Sequence, residues 1–270
     1  MTRSELFAQI KRKKSFLCVG LDPDLNRIPA HLNGDVLSFN KSIIDATRNY
    51  CVAYKPNTAF YEALGLDGLH LLKATIDYIG DEHFVIADAK RGDIGNTSRQ
   101  YAIAAFEHWG ADAITIAPYM GSDSVQPFLE FPNKWVVMLA LTSNIGSGDF
   151  QMTEQKDEEI PLYEKVMRKA ALWGSPDQLM FVCGATHPGY FQQLRSICPD
   201  HFFLVPGIGA QGGDLLSVCR YGMNSECGLL VNSSRGIIYA GDGENFAERA
   251  ATAAAQLQRQ MESALATFLP

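Results

Sequence analysis

Residues 84–97, with the sequence FVIADAKRGDIGNT, join a short apolar run to four charged residues within six positions. The run is typical of a buried strand, and charge at the end of such a strand costs free energy unless it is paired or used. Side chains two apart in a strand lie on the same side, so Asp88 and Lys90 are expected to project together, with Asp93 just beyond. A lysine between two carboxylates keeps its proton and can deliver it to one point. The spacing therefore indicates proton-transfer chemistry; the alternative is a solvated ion pair at a strand end.

Seven further apolar runs of strand length precede and follow this stretch, at 16–21, 51–54, 113–116, 135–141, 180–183, 202–205 and 228–231. Continuous apolar runs are typical of buried parallel strands, and helix-like segments alternate with them. Eight such strands, with no break in composition, predict one domain over 1–270 with an α/β fold, a single (β/α)8 TIM barrel. The alternative is an open doubly wound sheet, which is disfavoured because no G-x-G-x-x-G follows the first run.

Local signals also predict where several helices begin. Asn96 or Thr97 is expected to cap the helix after the charged stretch. Pro161 is expected to begin another helix, as is Asp214, and a long alanine-rich helix is expected from about Asn245.

The composition is that of an ordinary globular protein and narrows the choice of partners. The 270 residues are 47% hydrophobic and 20% charged, and the formal net charge is −7. A negative chain whose longest basic tract is 11–14 is a poor fit to nucleic acid. No apolar stretch approaches membrane-spanning length, and the first residues do not resemble a signal peptide. A cytoplasmic protein with no membrane or nucleic-acid partner is therefore expected.

Patterns typical of metal sites and catalytic triads are missing from the sequence. The six histidines share no ligand spacing, and the six cysteines include no C-x-x-C pair. Cys18, Cys51 and Cys183 fall in apolar runs and are expected in the core. His187 follows the sixth run, but no serine and acid accompany it as a triad requires. We therefore predict no metal site.

Polar side chains follow the carboxyl ends of most of the predicted strands. They are Asp22, Lys55, Asp88 with Lys90, Ser143 and Arg235. In a (β/α)8 barrel these ends open at one mouth, where active sites lie. Their convergence predicts a site for a polar ligand.

The turns after the seventh and eighth strands have the composition of a phosphate site. The segment 206–213, PGIGAQGG, contains glycines at 207, 209, 212 and 213 that let backbone N–H groups approach an anion. The helix expected at Asp214 adds a favourable N-terminus, and Arg235 can hold phosphate oxygens with two N–H groups. Barrels often bind phosphate at this place, so a phosphate site is favoured over a simple turn.

Taken together, these segments resemble the orotidine 5′-phosphate decarboxylase family, which catalyses the last step of de novo UMP synthesis. DAKRGDIGNT matches the D-x-K-x-x-D signature of that family, and PGIGAQGG and NSSRG match its phosphate-binding segments. The resemblance covers Asp22 to Arg235 and is strongest to the longer bacterial subgroup, with YKPN after the second strand and TSN after the fifth. It implies decarboxylation of orotidine 5′-phosphate to UMP without a metal or organic cofactor.

The resemblance also implies roles for single residues in the reaction. Asp88 would face the substrate carboxylate, and Lys90 would stabilise and then protonate the carbanion at C6 of the pyrimidine. Lys55 and Asp22 would bind ribose hydroxyls and hold the charges in place.

Further implied roles concern the partner subunit and the two ends of the substrate. Asp93 and its flank 94–97, which includes Thr97, would reach the site of a second subunit, so that a homodimer with shared sites is expected. Ser143 would contact the pyrimidine. The residues expected around the phosphate are Pro206, Gln211, Gly213, Ser234 and Arg235.

The lid and two other functions are left open by the sequence. Because the turn 207–213 is short, the polar segment 145–160 is an alternative lid over the phosphate. A Mg²⁺-dependent sugar-phosphate decarboxylase or aldolase of the same superfamily is a second possibility, although Lys55 stands where those relatives carry an acidic metal ligand. A non-catalytic barrel that binds a nucleotide phosphate is the third.

Overall fold

Eight parallel strands close into a barrel in the order of the chain, with β8 paired to β1. The strands are β1 (Leu17–Leu21), β2 (Ala53–Pro56), β3 (Phe84–Arg91), β4 (Ala113–Ile116), β5 (Trp135–Leu141), β6 (Leu179–Cys183), β7 (Phe202–Pro206) and β8 (Leu229–Ser233). The structure is a computed structural model that describes residues 1–154, 159–186, 188–208 and 213–269. The predicted (β/α)8 barrel is confirmed.

Helices surround the barrel and connect successive strands. They are α1 (Arg3–Lys13), α2 (Val36–Thr47), α3 (Thr58–Glu62), α4 (Gly65–Ile79), α5 (Gly95–Ile103), α6 (Gln126–Leu129), α7 (Leu162–Ala170), α8 (Phe191–Ile197), α9 (Leu215–Gly222), α10 (Arg235–Ile238) and α11 (Phe246–Phe268). None of the helices within the described ranges is long and apolar enough to cross a membrane.

The strands form the buried centre of the fold. Every residue of β1, β4, β6 and β8 is buried, as continuous apolar runs require when both faces of a strand are covered. Cys18, Cys51 and Cys183 are buried free thiols, which confirms their predicted place in the core. The side chains that could do chemistry therefore lie where these strands end.

The second strand lies two residues further along the chain than its apolar run suggests. The run 51–54 predicts a strand that ends before Lys55, whereas β2 spans Ala53–Pro56. The reason is the ladder to β1, in which Gly20 pairs with Lys55 and Leu21 with Pro56. Lys55 consequently belongs to the rigid strand and not to the following loop.

The start of α5 differs from the sequence prediction. The helix begins at Gly95 with Ile94 as its N-cap and no side-chain cap, so the expected cap at Asn96 or Thr97 is wrong. Gly95 has a φ of 51°, which glycine adopts without strain, and this lets the chain enter the helix directly from extended Ile94. The other predicted starts are confirmed by N-caps at Pro161, Asp214 and Asn245.

Candidate active site

The carboxyl end of β3, which carries Asp88 and Lys90, is interrupted by a bulge. Three residues of β3, 88–90, lie opposite the single residue Thr115 of β4 before the regular pairing resumes. Lys90 has a φ of 45°, a left-handed conformation that is uncommon for residues other than glycine. The two side chains nevertheless meet, because Lys90 Nζ donates a hydrogen bond of 2.6 Å to Asp88 Oδ1. Their contact thus forms where the bulge interrupts the regular alternation of the strand.

Asp88 is the centre of charge in this region. Lys55 Nζ donates to Asp88 Oδ2 at 2.6 Å, and Thr115 Oγ1 donates to Asp88 Oδ1 at 2.9 Å. The side chains of Lys55 and Asp88 are 7% and 8% exposed, whereas Lys90 is 50% exposed. A buried carboxylate is thus held between one buried and one half-exposed lysine.

The electrostatics keep the buried pair of Asp88 and Lys55 ionised. Burial alone would raise the pKa of Asp88, but the charges of Lys55 and Lys90 and their hydrogen bonds outweigh it and hold that pKa well below its usual range. Burial alone would lower the pKa of Lys55, but the charges of Asp88 and Asp22 raise it above its ordinary value. Neither group of the buried pair changes charge near neutral pH.

Asp22 lies just after β1, and its carboxylate can accept a hydrogen bond from a ligand. Its Oδ1 is buried and has no hydrogen-bond partner among the described residues. Its backbone is held by Tyr239, whose hydroxyl donates to the Asp22 carbonyl at 2.9 Å and accepts from Asp24 N–H at 2.6 Å. A buried carboxylate oxygen without a donor is costly, so a ligand hydroxyl fits this position.

A cavity of about 200 Å³ opens at the carboxyl ends of β1, β2, β3, β7 and β8. Its lining includes Asp22, Lys55, Asp88, Pro206, Ser234 and Arg235. Asp22, Lys55 and Asp88 therefore face the same space as part of the segment predicted to bind phosphate, and Lys90 contacts this group through Asp88. This is the arrangement expected for a ligand that carries a phosphate at one end and reacts at the other.

The phosphate side of the cavity depends on a close approach between two strand ends. A Cβ built on Gly20 in β1 would lie 1.8 Å from Ser234 Oγ, so only glycine leaves room for the turn that follows β8. Arg235 comes next, is exposed, and forms no ion pair with any residue that the structure describes. The guanidinium is thus available to an anion.

Asp93 and Thr97 are not part of this cavity within one chain. The Asp93 carboxylate accepts a hydrogen bond of 2.8 Å from Ile94 N–H and forms no ion pair in the described part of the chain. Thr97 lies exposed in the first turn of α5. The single chain therefore has a carboxylate between two lysines, where the spacing of the run suggests a lysine between two carboxylates.

Ser143 lies just after β5 at the same end of the barrel and is half-buried. Its backbone packs closely on Gly184, where an added Cβ would lie 2.7 Å from Ser143 N. Gln211 lies outside the described residues, as do positions 209, 210 and 212, and Gly213 is the first described residue after them. Both lid candidates, 207–213 and 145–160, are only partly described, so the lid stays a prediction.

Three polar residues in or beside the cavity were given no individual role from the sequence. Thr115 contacts Asp88, Asn57 lines the cavity after β2, and Asn232 in β8 has a buried Oδ1 without a partner among the described residues. Thr115 interrupts a run of apolar residues, and Asn232 directly follows one. A polar residue within a buried strand was the signal that could have identified Thr115 and Asn232.

A second cavity in the molecule is less suited to catalysis. A cavity of about 640 Å³ lies beside Asp77 and Asp112 at the amino-terminal end of the barrel. The Asp112 carboxylate is already bound there by the Met1 ammonium at 2.6 Å and by Val85 N–H at 2.9 Å. Across the ranges that the structure describes, no group of three or more His, Cys, Asp or Glu side chains is arranged to hold a metal ion. The cavity at the carboxyl ends of the strands is therefore the candidate active site.

Comparison with known proteins agrees with this geometry. Residues 15–250 match the model of the orotidine 5′-phosphate decarboxylase / HUMPS family. The chain is 56% identical over 275 residues to the orotidine 5′-phosphate decarboxylase of Bacteroides fragilis, with 100% of both chains covered. It is 58% identical over 271 residues to that of Christiangramia forsetii, covering 98% of this chain and 99% of the relative. The solved structure of Leishmania donovani OMP decarboxylase superposes with a TM-score of 0.85 at 38% identity, covering 98% of this chain and 99% of that one. The chain belongs to the orotidine 5′-phosphate decarboxylase / HUMPS family.

Proposed function

We propose that this chain is an enzyme that decarboxylates orotidine 5′-phosphate to UMP in pyrimidine biosynthesis. The observation that carries the proposal is the ionised carboxylate of Asp88, held between Lys55 and Lys90 in a cavity that also reaches Arg235. Relatives that are 56% and 58% identical over nearly the full length bear the name of that enzyme.

We propose one orientation for the substrate in the cavity. Its phosphate is placed at the turns after β7 and β8, where Arg235, which forms no ion pair with any described residue, would bind it beside Pro206 and Ser234. Gln211 and Gly213 are its further proposed neighbours. The ribose hydroxyls are placed at Asp22, whose buried Oδ1 lacks a donor, and at Lys55. The pyrimidine then lies toward Lys90, with Ser143 beside it. This orientation brings C6 and its carboxylate to the charged set.

The charges of Asp88 and Lys90 suggest how the decarboxylation would proceed. Asp88 stays ionised because its two lysines hold its pKa low, and its negative charge disfavours the substrate carboxylate relative to the transition state. The bond from C6 to the carboxylate breaks, CO₂ leaves, and the electron pair stays on C6. The Lys90 ammonium stabilises that carbanion and then transfers a proton from Nζ to C6, which gives UMP.

The preorganised charges of the site explain how a few side chains can stabilise the charge that develops at C6. Lys55 and Asp88 are fixed by contacts of 2.6 Å in a buried setting, so they need little reorganisation when charge develops at C6. The phosphate is distant from the reacting bond, but its binding energy can hold the site in its reactive arrangement. We propose no metal or organic cofactor for these steps.

A homodimer with shared active sites is part of the proposal. Asp93 and the flank 94–97 are exposed or half-exposed beside the site, and Ile94 presents a side chain that is 54% exposed. An apolar side chain next to a carboxylate that forms no ion pair with any described residue suits a surface covered by a second copy, in which Asp93 and Thr97 would complete the partner's site. The proposed location of the enzyme is the cytoplasm.

The test is a spectrophotometric assay of orotidine 5′-phosphate, run with and without EDTA. Loss of substrate absorbance at the same rate in both samples is the expected result. Activity that disappears in EDTA would favour the Mg²⁺-dependent sugar-phosphate alternative, and a lack of turnover with retained nucleotide binding would favour a non-catalytic barrel. The control variant is Lys73→Ala, which removes an exposed lysine on α4 far from the cavity and should not change the rate.

A further inference from the structure

The bulge in β3 leaves backbone groups that the ladder to β4 cannot all pair. Residues 88–90 face only Thr115 of β4, so the regular ladder cannot satisfy every N–H group in this stretch. The pairing resumes at Arg91, whose carbonyl accepts from Ala117 N–H at 2.8 Å. The gap in the ladder falls on the residues that bear the reacting charges.

One hydroxyl fills the gap. Thr115 Oγ1 accepts a hydrogen bond of 2.9 Å from Lys90 N–H and donates one of 2.9 Å to Asp88 Oδ1. Thr115 is 1% exposed, so water cannot replace either bond. The side chain of a β4 residue thus takes the place of a backbone partner, and the same oxygen also orients the carboxylate.

The geometry points to Thr115 as a positioning residue for the decarboxylation proposed above, on which this inference rests. It holds the backbone of Lys90 in its left-handed conformation and holds Asp88 in the orientation that meets both lysines. Thr115 acts through these two groups and does not itself need to touch the substrate.

Lys90 depends on this support more than Lys55 does. The Lys55 side chain is 7% exposed and therefore held by its buried surroundings, whereas the Lys90 side chain is 50% exposed. A half-exposed lysine is positioned mainly by its own backbone and by its partner carboxylate. Both of these are bound by the Thr115 hydroxyl, so loss of the hydroxyl should displace the ammonium from C6.

The test compares Thr115→Val with Thr115→Ser. Valine has nearly the same shape and lacks the hydroxyl, whereas serine keeps it. We expect Thr115→Val to lower kcat by about 100-fold, the effect of a displacement on the order of 1 Å at the reacting groups, with little change in KM because the phosphate and ribose contacts remain. Thr115→Ser should restore most of kcat.

The matched control is Thr75→Val, which removes another buried threonine hydroxyl, in α4 and away from the cavity. Thr75 accepts a hydrogen bond from Asn40, so this variant should lose thermal stability and keep its kcat. It separates loss of a buried hydrogen bond from loss of positioning.

Several results would overturn the inference: unchanged kcat in Thr115→Val, an equal loss in Thr115→Ser, a loss confined to KM, or the same loss of kcat in Thr75→Val. Failure of the proposed function is recognised separately, since the wild-type protein would then show no turnover of orotidine 5′-phosphate in the same assay.

Discussion

Replacing Asp88 by alanine should destabilise the fold as well as remove activity. The change leaves Lys55 buried, 7% exposed, without the carboxylate that now lies 2.6 Å from its Nζ. Breaking a buried ion pair from one side costs about 3–5 kcal/mol, because the remaining charge is uncompensated. Asp22 still faces Lys55, and the half-exposed Lys90 can turn to solvent, so we expect the lower end, about 3 kcal/mol.

Urea denaturation at pH 7 and thermal melting measure this effect. A loss of about 3 kcal/mol corresponds to a fall in Tm of roughly 6–12 °C for a chain of this size. Asp242→Ala is the matched control, because it removes the same charge from an exposed residue that forms no ion pair in the described part of the chain. Its stability should change by no more than about 0.5 kcal/mol.

The pH dependence of the free energy of unfolding provides a second test of the Asp88→Ala prediction. In the wild type, the lowered pKa of Asp88 gives stability that is present above the ordinary carboxyl value of 3.8 and is lost as pH falls through the lowered value. The raised pKa of Lys55 gives stability that is present below 10.5 and is lost only as pH rises through the raised value.

In Asp88→Ala the burial of Lys55 prevails, so its pKa should fall below 10.5 and the folded state should release a proton before the unfolded state does. The deficit relative to wild type should therefore shrink as pH rises from 7 toward 10. An Asp88→Ala variant as stable as Asp242→Ala at pH 7, or a deficit that grows with pH, would refute the reasoning.

The remaining predictions concern catalysis, binding and acid stability. Lys90→Ala should lower kcat by at least about 10,000-fold, because it removes both the proton donor and the charge at C6; normal turnover would exclude Lys90 as the donor. Arg235→Ala should raise KM by about 10- to 100-fold through the lost charge-assisted bonds to phosphate, and an unchanged KM would contradict the phosphate assignment. Burial, together with the nearby Lys13 ammonium, lowers the pKa of His83 to about 4, so stability should fall as pH drops from 6.5 to 4, where only the unfolded chain is protonated. In urea titrations His83→Gln should weaken that pH dependence; an identical slope in both proteins would argue against a neutral His83.

Much of the architecture could be predicted from the sequence because it depends on short-range patterns. Continuous apolar runs identified the eight strands, and the runs for β4 and β5 match the observed bounds, Ala113–Ile116 and Trp135–Leu141. The glycine-rich and N-S-S-R-G turns were placed after β7 and β8 in the same way. Since the strands of a (β/α)8 barrel all end at one mouth, their order was enough to predict that Lys55 and Asp88 lie close together.

The pairing between strands determined the features of the site that the sequence did not predict. The register of β1 with β2 extends the strand through Lys55, and Lys90 adopts its left-handed conformation at the mismatch between β3 and β4. Neither feature has a signal in the local sequence, because each depends on residues tens of positions away along the chain.

The sequence by itself determined which charges this protein carries and at which strand ends they stand. The tertiary structure decided which of them touch: it put Asp88 between two lysines, left Asp93 apart, and brought the hydroxyl of Thr115 into the group. The physical reason is that apolar periodicity is read from neighbours in the chain, whereas hydrogen bonds of 2.6 to 2.9 Å depend on the register between separate strands.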